Sequence, residues 1–415
     1  MRIWILNHYA SPPDKAAGTR HYDFGRVLAE QGHEVTIFAS SYNHFSRQED
    51  RLSSGERLRV EWFDGVRFVW VRTLPYARND YRRVANMLSY ATRTVLVQRH
   101  FSRPDVIVGS SVHLAAVAAA YVIGRARRVP FVFEVRDIWP QTLIDMGALR
   151  EGGLASRILR WAELFLYGRA RMVISLLPKA PDYIAGRGIS REKIAYIPNG
   201  IAGALSADVT LSGGAAELVA RITQLHRGGR VVAGYVGAHG RANGLDTLVH
   251  AARELRDRGE DGIVFVFVGD GPEKEACQRL ARDHDLHNVI FWPPVPKRSV
   301  PAVLEALDVT LFSLLDVSVF KYGLSSNKLF DYLASGRPVV SACAVEETPV
   351  SASGGGICVP PEAPEAIADA LITLASLGEA GRQAIGDRGK KWVYQNHDVT
   401  ALAEQFLQAL AQAQR

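Results

Sequence analysis

The sequence predicts an α/β protein made of two tandem Rossmann-like domains, each with a parallel sheet facing a cleft. Three observations support this fold class. The chain has 415 residues, which is more than one ordinary hydrophobic core organises. Short apolar runs alternate with helix-length patterns along the whole chain, as in βαβ units. A turn signal at Pro198-Asn199-Gly200 and a glycine-containing segment up to about Gly229 separate two such series.

The first series holds seven predicted strands, each an apolar run bounded by turn residues or by a helical pattern. A helix is predicted over Arg20–Gln31, because Phe24, Val27 and Leu28 share one face and Gly32 ends the pattern. The predicted strands are Arg2–Asn7, Glu34–Ala39, Val66–Val71, Val106–Gly109, Phe131–Val135, Met172–Ser175 and Ile194–Ile197. We therefore place the first domain at residues 1–198.

The second series occupies residues 199–394 and repeats the alternation. Its predicted strands are Val231–Val236, Val264–Val268, Val289–Phe291, Val309–Leu311, Val339–Ser341 and Gly356–Val359. Its predicted helices are Leu245–Arg258, Pro272–Asp283, Ser299–Ala306, Lys328–Ser335 and Glu365–Leu377. A tail at about 395–415 carries Leu402, Phe406, Leu407 and Leu410 at helical spacing, which predicts an amphipathic helix.

Cysteine content and the first residues predict the cellular compartment of the protein. Three cysteines are too few and too scattered for a disulfide framework or a zinc site, and the chain opens on a strand-like run rather than a signal peptide. Both features predict a reducing cytoplasm. Val106 to Gly124 carries no charged residue and has nearly the length of a membrane span. Ser110, Ser111 and His113 interrupt it, so we expect a buried strand followed by a helix.

Charge is unevenly distributed between the two halves. Residues 1–197 hold 29 Lys and Arg against 18 Asp and Glu, a net +11, whereas residues 198–415 have a net charge of −5. A basic half beside an acidic half indicates an anionic partner for the first half. Its segment Tyr76 to His100 mixes arginines with aromatics, which suits either an anionic membrane surface or a solvated helix face. No recognition motif points to nucleic acid.

The most informative run is Phe320 to Val340, which predicts a loop, a helix and a strand. Asp331 lies on the helix, and a carboxylate there can accept hydrogen bonds from two vicinal hydroxyls. Asn327 and Lys328 stand at the helix N-terminus, where backbone amides and an ammonium suit an anion. A nucleotide sugar presents both groups, ribose hydroxyls and a diphosphate.

This run resembles the donor-binding segment of the family-four retaining glycosyltransferases, which have the GT-B fold. The similarity is to the bacterial branch that builds O-antigen and capsule, such as the N-acetylfucosamine transferases. The resemblance implies that Asp331 binds ribose, and that the C-terminal tail crosses back onto the first domain. It also implies a nucleotide-sugar donor domain at 199–394 and an acceptor domain at 1–198. The family has a further acid eight residues before Asp331, where this chain has Gly323.

The loop Gly237 to Asp246 follows the strand Val231–Val236. Its glycines let backbone amides approach phosphate oxygens, and Gly240 and Arg241 are our candidates for donor binding. The family carries basic residues at two positions of this loop, where this chain has Ala238 and Asn243. An ordinary βα turn stays an alternative. Gly269 and Asp270 resemble the family's "GDGP" segment, and a structural turn is again the alternative.

The first domain supplies the remaining candidates. Gly18 and Arg20 belong to a loop that resembles the family segment passing close to diphosphate and acceptor. Glu134, Arg136 and Asp137 resemble an "E-x-R-D-x-W-P" segment, and we assign Arg136 and Asp137 to the catalytic site, with a structural ion pair as the alternative. His113 follows another strand end, either as a contact to the donor sugar or as a structural histidine.

The resemblance implies a retaining hexosyltransferase that moves a sugar, an N-acetylated hexosamine or deoxyhexosamine, from a UDP-sugar. The acceptor would be a polyprenyl-diphosphate-linked saccharide in O-antigen, capsule or exopolysaccharide biosynthesis, which implies peripheral association with the cytoplasmic face of the inner membrane. No metal or other cofactor is expected. Asp283-His284-Asp285 has the spacing of a metal-binding triplet but ends a predicted helix. The alternatives are a UDP-sugar epimerase of the same fold and a non-catalytic sugar-nucleotide binding protein.

Overall fold

The computed structural model describes residues 1–13, 18–44, 46–78, 80–111, 113–201, 211 and 213–415. Two compact units make up the chain. Unit 1 comprises Met1–Asn199 and Val399–Arg415, and unit 2 comprises Gly200–Asp398. Asp14 to Ala17 of the predicted diphosphate loop and Ser212 of the predicted boundary segment lie outside the described residues.

Unit 1 is built on an eight-stranded sheet with the order β10-β9-β8-β7-β1-β2-β6-β5. All neighbouring strands are parallel except β5 and β6. The strands of this sheet are β1 (Arg2–Leu6), β2 (Glu34–Ser40), β5 (Leu58–Phe63), β6 (Val66–Val71), β7 (Val106–Ser111), β8 (Phe131–Val135), β9 (Met172–Ser175) and β10 (Ile194–Tyr196), and a separate two-stranded ribbon comprises β3 (Tyr42–Asn43) and β4 (Gln48–Glu49). Strand order reverses between β1 and β7.

The antiparallel hairpin β5–β6 is absent from the sequence prediction. Its turn is Asp64-Gly65, and both residues have positive φ angles, 44° and 81°. Such Asp-Gly turns match the twist of a two-residue hairpin. The Asp-Gly pair was therefore a local signal for β5, although the strand alternates partly buried and exposed residues instead of forming an apolar run.

Helices cover both faces of the unit 1 sheet. One layer holds α2 (Tyr81–Val97), α3 (Leu114–Arg127) and α5 (Leu154–Arg169), with α3 packed against both neighbours. The other holds α1 (Arg20–Glu30), which packs against the C-terminal helix α15 (Val399–Gln414). Short helices α4 (Gln141–Asp145) and α6 (Ala180–Ala185) complete the unit. Leu402, Phe406 and Leu410 of α15 join the same core as Phe24 of α1.

Unit 2 has a six-stranded, fully parallel sheet with the order β13-β12-β11-β14-β15-β16. Its strands are β11 (Val231–Val236), β12 (Ile263–Val268), β13 (Val289–Trp292), β14 (Val309–Ser313), β15 (Val339–Ala342) and β16 (Gly356–Val359). Its helices are α7 (Gly214–Arg227), α8 (Leu245–Asp257), α9 (Lys274–Asp283), α10 (Val300–Ala306), α11 (Asn327–Ala334), α12 (Pro349–Ser353), α13 (Pro364–Ser376) and α14 (Gly378–Asn396). Strand order reverses between β11 and β14.

These two sheets confirm the predicted fold class of two Rossmann-like domains. The apolar stretch from Val106 to Gly124 forms β7 and most of α3, as expected from its polar interruptions. Among the described residues, no helix is long and apolar enough to cross a membrane.

A buried carboxylate ties together the elements around the strand reversal of unit 1. Glu134 of β8 is fully buried and accepts hydrogen bonds from Arg20 Nε at 3.0 Å, His21 Nε2 at 2.6 Å and Ser110 Oγ at 2.6 Å. Burial alone would raise its pKa, but His21 and Arg20 hold the pKa of Glu134 well below its ordinary value. Arg20 also donates to the carbonyls of Ile197 and Pro198. One ion pair thus joins α1, β8 and the segment after β10.

We expect Arg20→Met to destabilise unit 1 by about 3–5 kcal/mol, because it leaves a buried carboxylate without its guanidinium partner. Urea unfolding followed by circular dichroism measures this loss. Arg26→Met on the same helix is the matched control, since Arg26 pairs with Glu30 near the surface, where such pairs contribute about 0–1 kcal/mol. Equal effects of the two substitutions would contradict a structural role for the buried pair.

Candidate functional site

The seven predicted site residues of unit 2 lie in the loops after β11 and β12 and on α11. In open parallel sheets, ligands bind outside the carboxyl ends of the strands where strand order reverses. In unit 2 this place is between β11 and β14. The seven residues are Gly240, Arg241, Gly269, Asp270, Asn327, Lys328 and Asp331.

Lys328 has the most constrained side chain of this group. Its ammonium donates to Tyr235 Oη at 2.7 Å and to Asn243 Oδ1 at 2.6 Å. It also lies 4.7 Å from the centre of the Tyr235 ring and 5.8 Å from that of Phe312, within cation–π range. Lys328 therefore points from the first turn of α11 back towards the loop after β11.

The two acceptors of Lys328 are themselves held in place. Tyr235 Oη donates to the carbonyl of Ala238 at 2.8 Å. Asn243 Nδ2 donates to the same carbonyl at 3.0 Å and to Gly240 O at 3.3 Å, which directs its Oδ1 towards Lys328. The four groups form a closed ring of hydrogen bonds, so the ammonium position is fixed by the loop as well as by α11.

Gly237 makes this position of Lys328 possible. A Cβ atom on Gly237 would lie 2.5 Å from Lys328 Cδ, in the middle of the side chain. Gly269 is required for a similar reason, because it has a φ of +145° and its Cβ would lie 2.0 Å from the carbonyl oxygen of Gly237. Backbone and lysine pack together here without room for another side chain.

The environment of Lys328 changes its protonation. Burial lowers the pKa of Lys328 to about 7, since the surrounding tyrosine, amide and phenyl groups carry no compensating negative charge. A lysine with a pKa near 7 is only partly protonated at neutral pH, and a nearby anion would raise its pKa again. This site can therefore bind an anion by taking up a proton.

Asp331 lies one turn after Lys328 on α11. Residues three positions apart share one side of a helix, and the side chain of Asp331 is partly exposed there. The helix is anchored by Tyr332, whose hydroxyl accepts from Val236 N at 2.8 Å and donates to Val236 O at 2.9 Å. Asn327, also partly exposed, is the first residue of α11. A carboxylate, an ammonium and helix amides are thus placed together beside the end of β11.

The loops after β11 and β12 are clasped by backbone hydrogen bonds. His239 N donates to Asp270 O at 2.8 Å, and Gly237 N donates to Val268 O at 2.9 Å. Gly269 is buried in this clasp, whereas the Asp270 side chain is exposed and accepts from Gly271 N. The "GDGP" segment therefore supports the loop after β11, and its direct contact with a ligand stays a prediction.

His239 is fully buried inside this clasp. Neither of its ring nitrogens has a hydrogen-bond partner among the described residues. Burial lowers its pKa to about 4, with the charge of Lys274 acting in the same direction. The imidazole is thus neutral at neutral pH and packs as an apolar ring.

Gly240 and Arg241 form the outer part of the loop after β11. Arg241 begins a short turn, Arg241–Asn243, and its side chain is exposed. Gly244 follows with a φ of 51° and is the N-cap of α8. The arginine is thus available to solvent ions, and its contact with a donor diphosphate stays a prediction.

His113 in unit 1 caps α3 and is only 2% exposed. Its Nδ1 accepts from Ala116 N at 3.3 Å, and its Nε2 lies 2.8 Å from His8 Nδ1. Burial, with Arg83 nearby, lowers its pKa to about 3, so the ring is neutral. Both nitrogens have partners within unit 1, which gives His113 the structural role that the sequence left open. Its contact with a donor sugar stays a prediction.

The other candidates of unit 1 have different environments. Arg20 is buried against Glu134, where its guanidinium joins elements of the unit, and its contact with a donor stays a prediction. Arg136 is partly exposed and Asp137 is exposed, directly after β8. Gly18 is partly buried and directly follows Asp14 to Ala17, which lie outside the described residues. Of the three charged residues at the end of β8, Glu134 is buried, whereas Arg136 and Asp137 are accessible.

Sequence analysis did not single out two positions of unit 2 that support Lys328. Tyr235 and Gly237 determine where Lys328 lies, but an aromatic residue in a strand and a glycine after it are common features of βα turns. The one available signal was Asn243, which stands where the resembling family has a basic residue. The structure shows that the amide at this position binds the ammonium of Lys328.

Two family models match the chain. Residues 16–200 match the "Glycosyl transferase 4-like domain", and residues 230–377 match "Glycosyl transferases group 1". Among curated proteins, the chain is 25% identical over 388 residues to the putative colanic acid biosynthesis glycosyl transferase WcaI of Escherichia coli (strain K12). That similarity covers 88% of this chain and 90% of the relative.

Solved structures share the fold at low sequence identity. Sucrose-phosphate synthase from Thermosynechococcus elongatus superposes with a TM-score of 0.73 at 17% identity, covering 99% of this chain and 98% of the other. Anabaena HepE in complex with UDP and glucose superposes with a TM-score of 0.67 at 15% identity and covers 99% of both chains.

We expect Lys328→Met to change how stability depends on pH. A lysine whose pKa is about 7 in the folded state and about 10.4 unfolded makes the protein more stable as pH rises between those values, because only the unfolded chain keeps the proton. Lys328→Met should remove this part of the slope, measured by urea unfolding across the window. Lys391→Met, at an exposed position of α14, is the matched control. An unchanged slope in Lys328→Met would contradict a lowered pKa.

Proposed function

Because the chain is a glycosyltransferase with the GT-B fold, whose halves match a glycosyl transferase 4-like domain and a group 1 domain, we propose that it transfers a sugar from a UDP-sugar to a lipid-linked saccharide with retention of configuration. The donor nucleotide binds to unit 2, at the carboxyl ends of β11 and β12 and at α11. The acceptor binds to unit 1. UDP binding by the structurally similar HepE supports the choice of nucleotide.

The observation that carries this proposal is the pair of Lys328 and Asp331 on one side of α11. Asp331 accepts hydrogen bonds from the two ribose hydroxyls, which a carboxylate does well. Lys328 and the amides at the start of α11 bind the diphosphate. The distance of one helical turn between them fits the separation of ribose and diphosphate within a nucleotide.

Lys328 stabilises the leaving group without a metal. As the C–O bond to the sugar breaks, negative charge accumulates on the diphosphate, and a fixed ammonium in a water-poor site stabilises that charge. The pKa of Lys328 near 7 means that donor binding is accompanied by proton uptake. Arg241 adds a second positive charge from the exposed side of the loop.

Retention follows from attack on the face that the diphosphate leaves. The acceptor hydroxyl approaches the anomeric carbon on that face, and a diphosphate oxygen takes its proton. The products are the glycosylated acceptor and protonated UDP, so no additional base is needed for balance. Arg136 and Asp137 are the accessible charges of unit 1 that orient the acceptor.

The donor sugar is an N-acetylated hexosamine or deoxyhexosamine. Gly323 stands where the resembling family has an acid that contacts the transferred sugar. Its φ of +102° is a backbone conformation that residues with side chains rarely adopt. This loop is therefore shaped for glycine, and a sugar that relies on fewer hydroxyl contacts fits such a site.

The acceptor is a polyprenyl-diphosphate-linked saccharide in cell-surface polysaccharide synthesis. The similarity to a putative colanic acid glycosyl transferase supports this pathway class. Such an acceptor is anchored in a bilayer, so we place the enzyme in the cytoplasm, on the cytoplasmic face of the inner membrane. The net charge of +11 over residues 1–197 is consistent with an anionic surface.

We expect UDP and one UDP-sugar to raise the melting temperature of the protein more than GDP, ADP or NAD do. A ligand at 100 times its Kd stabilises the folded state by about 2.7 kcal/mol. Asp331→Ala should reduce UDP affinity by about tenfold or more, because hydrogen bonds to a charged group contribute about 1.5–3 kcal/mol. Thermal-shift titration measures both effects.

Glu379→Ala is the matched control for Asp331→Ala, since Glu379 is an exposed acid on α14 of the same unit. It should leave UDP binding unchanged. A response to NAD alone, or an undiminished UDP affinity in Asp331→Ala, would show that the donor site is elsewhere.

We expect release of free UDP to depend on the acceptor. A transferase forms UDP from its UDP-sugar only when a polyprenyl-diphosphate-linked N-acetylhexosamine is present, and each UDP appears with one glycosylated product. Chromatography of the nucleotide and lipid fractions measures both. Conversion of the UDP-sugar to its epimer without acceptor would indicate the alternative epimerase, and binding without turnover would indicate a sugar-nucleotide binding protein.

A further inference from the structure

The outer side of the helix layer α2–α3–α5 has an unusual composition for the surface of a globular unit. On α5, Leu154, Ile158 and Trp161 are 76%, 54% and 66% exposed. Their spacing of four and three residues places them on one side of the helix, opposite the buried Ser156, Glu163 and Tyr167. The side of α5 that faces solvent therefore carries three large apolar side chains, which is unusual for a surface helix.

The neighbouring helices continue this surface. On α2, four large side chains are more than half exposed, namely Tyr81, Val84, Leu88 and Leu96. On α3, Val122 is 46% exposed. Since α3 packs against both α2 and α5, the three outer sides belong to one layer. Scattered exposed apolar residues are normal, but a layer of them on three adjacent helices indicates an interaction surface.

The charges of this layer all have one sign at the surface. The three helices, all of whose residues the structure describes, contain eight arginines and a single acid. That acid is Glu163, whose side chain is completely buried and faces the sheet side, near Tyr167 and Tyr183. Arg157 and Arg169 flank the apolar stripe of α5 and are exposed. The surface therefore combines apolar side chains with an excess of positive charge, although Arg160 pairs with Glu151 just before α5 at 3.8 Å.

We propose that the outer surface of the α2–α3–α5 layer lies against an anionic phospholipid bilayer, with Leu154, Ile158 and Trp161 of α5 inserted among the headgroups. This inference deepens the proposed function and rests on it, since a lipid-linked acceptor requires contact with a bilayer. Sequence analysis pointed to the segment Tyr76–His100 only, whereas α5 supplies the larger apolar side chains.

Charge and aromatic content favour a bilayer over a second copy of the chain. Two copies joined through the same surface would bring arginine-rich helices together without acids to pair them. Anionic lipid headgroups complement the arginines, and tryptophan and tyrosine side chains favour the membrane–water boundary. Trp161 stacks on Phe165 at 5.4 Å between ring centres, which holds its indole in the outward position.

Flotation of the full-length protein with lipid vesicles tests this proposal. Wild type should float with phosphatidylglycerol-containing vesicles, less so at high salt and not with phosphatidylcholine alone. Ile158→Glu/Trp161→Glu should weaken vesicle affinity by about tenfold or more. Leu377→Glu is the matched control, because Leu377 is 47% exposed in unit 2, and it should float like wild type.

Undiminished flotation of the double variant would overturn the proposal. So would a wild-type dimer that the double variant converts to a monomer without any vesicle binding, since this surface would then join two copies. A thermal-shift titration with UDP is run on the same samples. An equal UDP response in wild type and double variant shows that unit 2 is intact, and an unchanged circular-dichroism melting curve shows that unit 1 of the variant is folded. Vesicle binding without any nucleotide response would support this inference and overturn the proposed function instead.

Discussion

The reversal of strand order between β11 and β14 is the constraint on which the candidate site depends. Connections from the two strands leave in opposite directions, so the carboxyl end of β11 is open to a ligand. At the base of this opening the loops after β11 and β12 pack so closely that only glycine fits at positions 237 and 269, as Gly237 and Gly269. Lys328 reaches from α11 into the same place, and its ammonium is held by Tyr235 and Asn243. The position of one positive charge thus follows from topology, two glycines and two hydrogen-bond acceptors.

The same reversal in unit 1 has a different outcome. Between β1 and β7 the polar groups are turned inward, with Glu134 shared by Arg20, His21 and Ser110. Every one of these side chains is buried, so the ion pair of Glu134 with Arg20 and His21 joins elements within the unit. Among the described residues that follow β8, Arg136 and Asp137 are accessible. Equivalent places in two related sheets therefore hold a buried ion pair in unit 1 and the candidate ligand site in unit 2.

The sequence was sufficient for most of the secondary-structure elements and insufficient for the side-chain contacts. Val66–Val71 and Phe131–Val135 were predicted with the bounds that the structure has, because buried parallel strands are continuous apolar runs. Strand β5 was missed because its residues are half exposed, although Asp64-Gly65 marked the hairpin. The partners of Lys328 are 93 and 85 residues away along the chain, and no local pattern encodes such distances. Arg20 illustrates the same limit, because its buried partner Glu134 is 114 residues away along the chain.

Arginine in unit 1 shows why net charge alone did not decide between a solvated face and a membrane surface. Some of the excess positive charge, such as Arg20, is neutralised inside the fold and exerts little field outside. On the α2–α3–α5 layer the opposite holds, because the only acid of the three helices is buried whereas four of their eight arginines are exposed. The external field therefore depends on which acids are removed from the surface as much as on how many arginines are present. Burying Glu163 makes this layer more positive than its sequence indicates, next to apolar side chains that water solvates poorly.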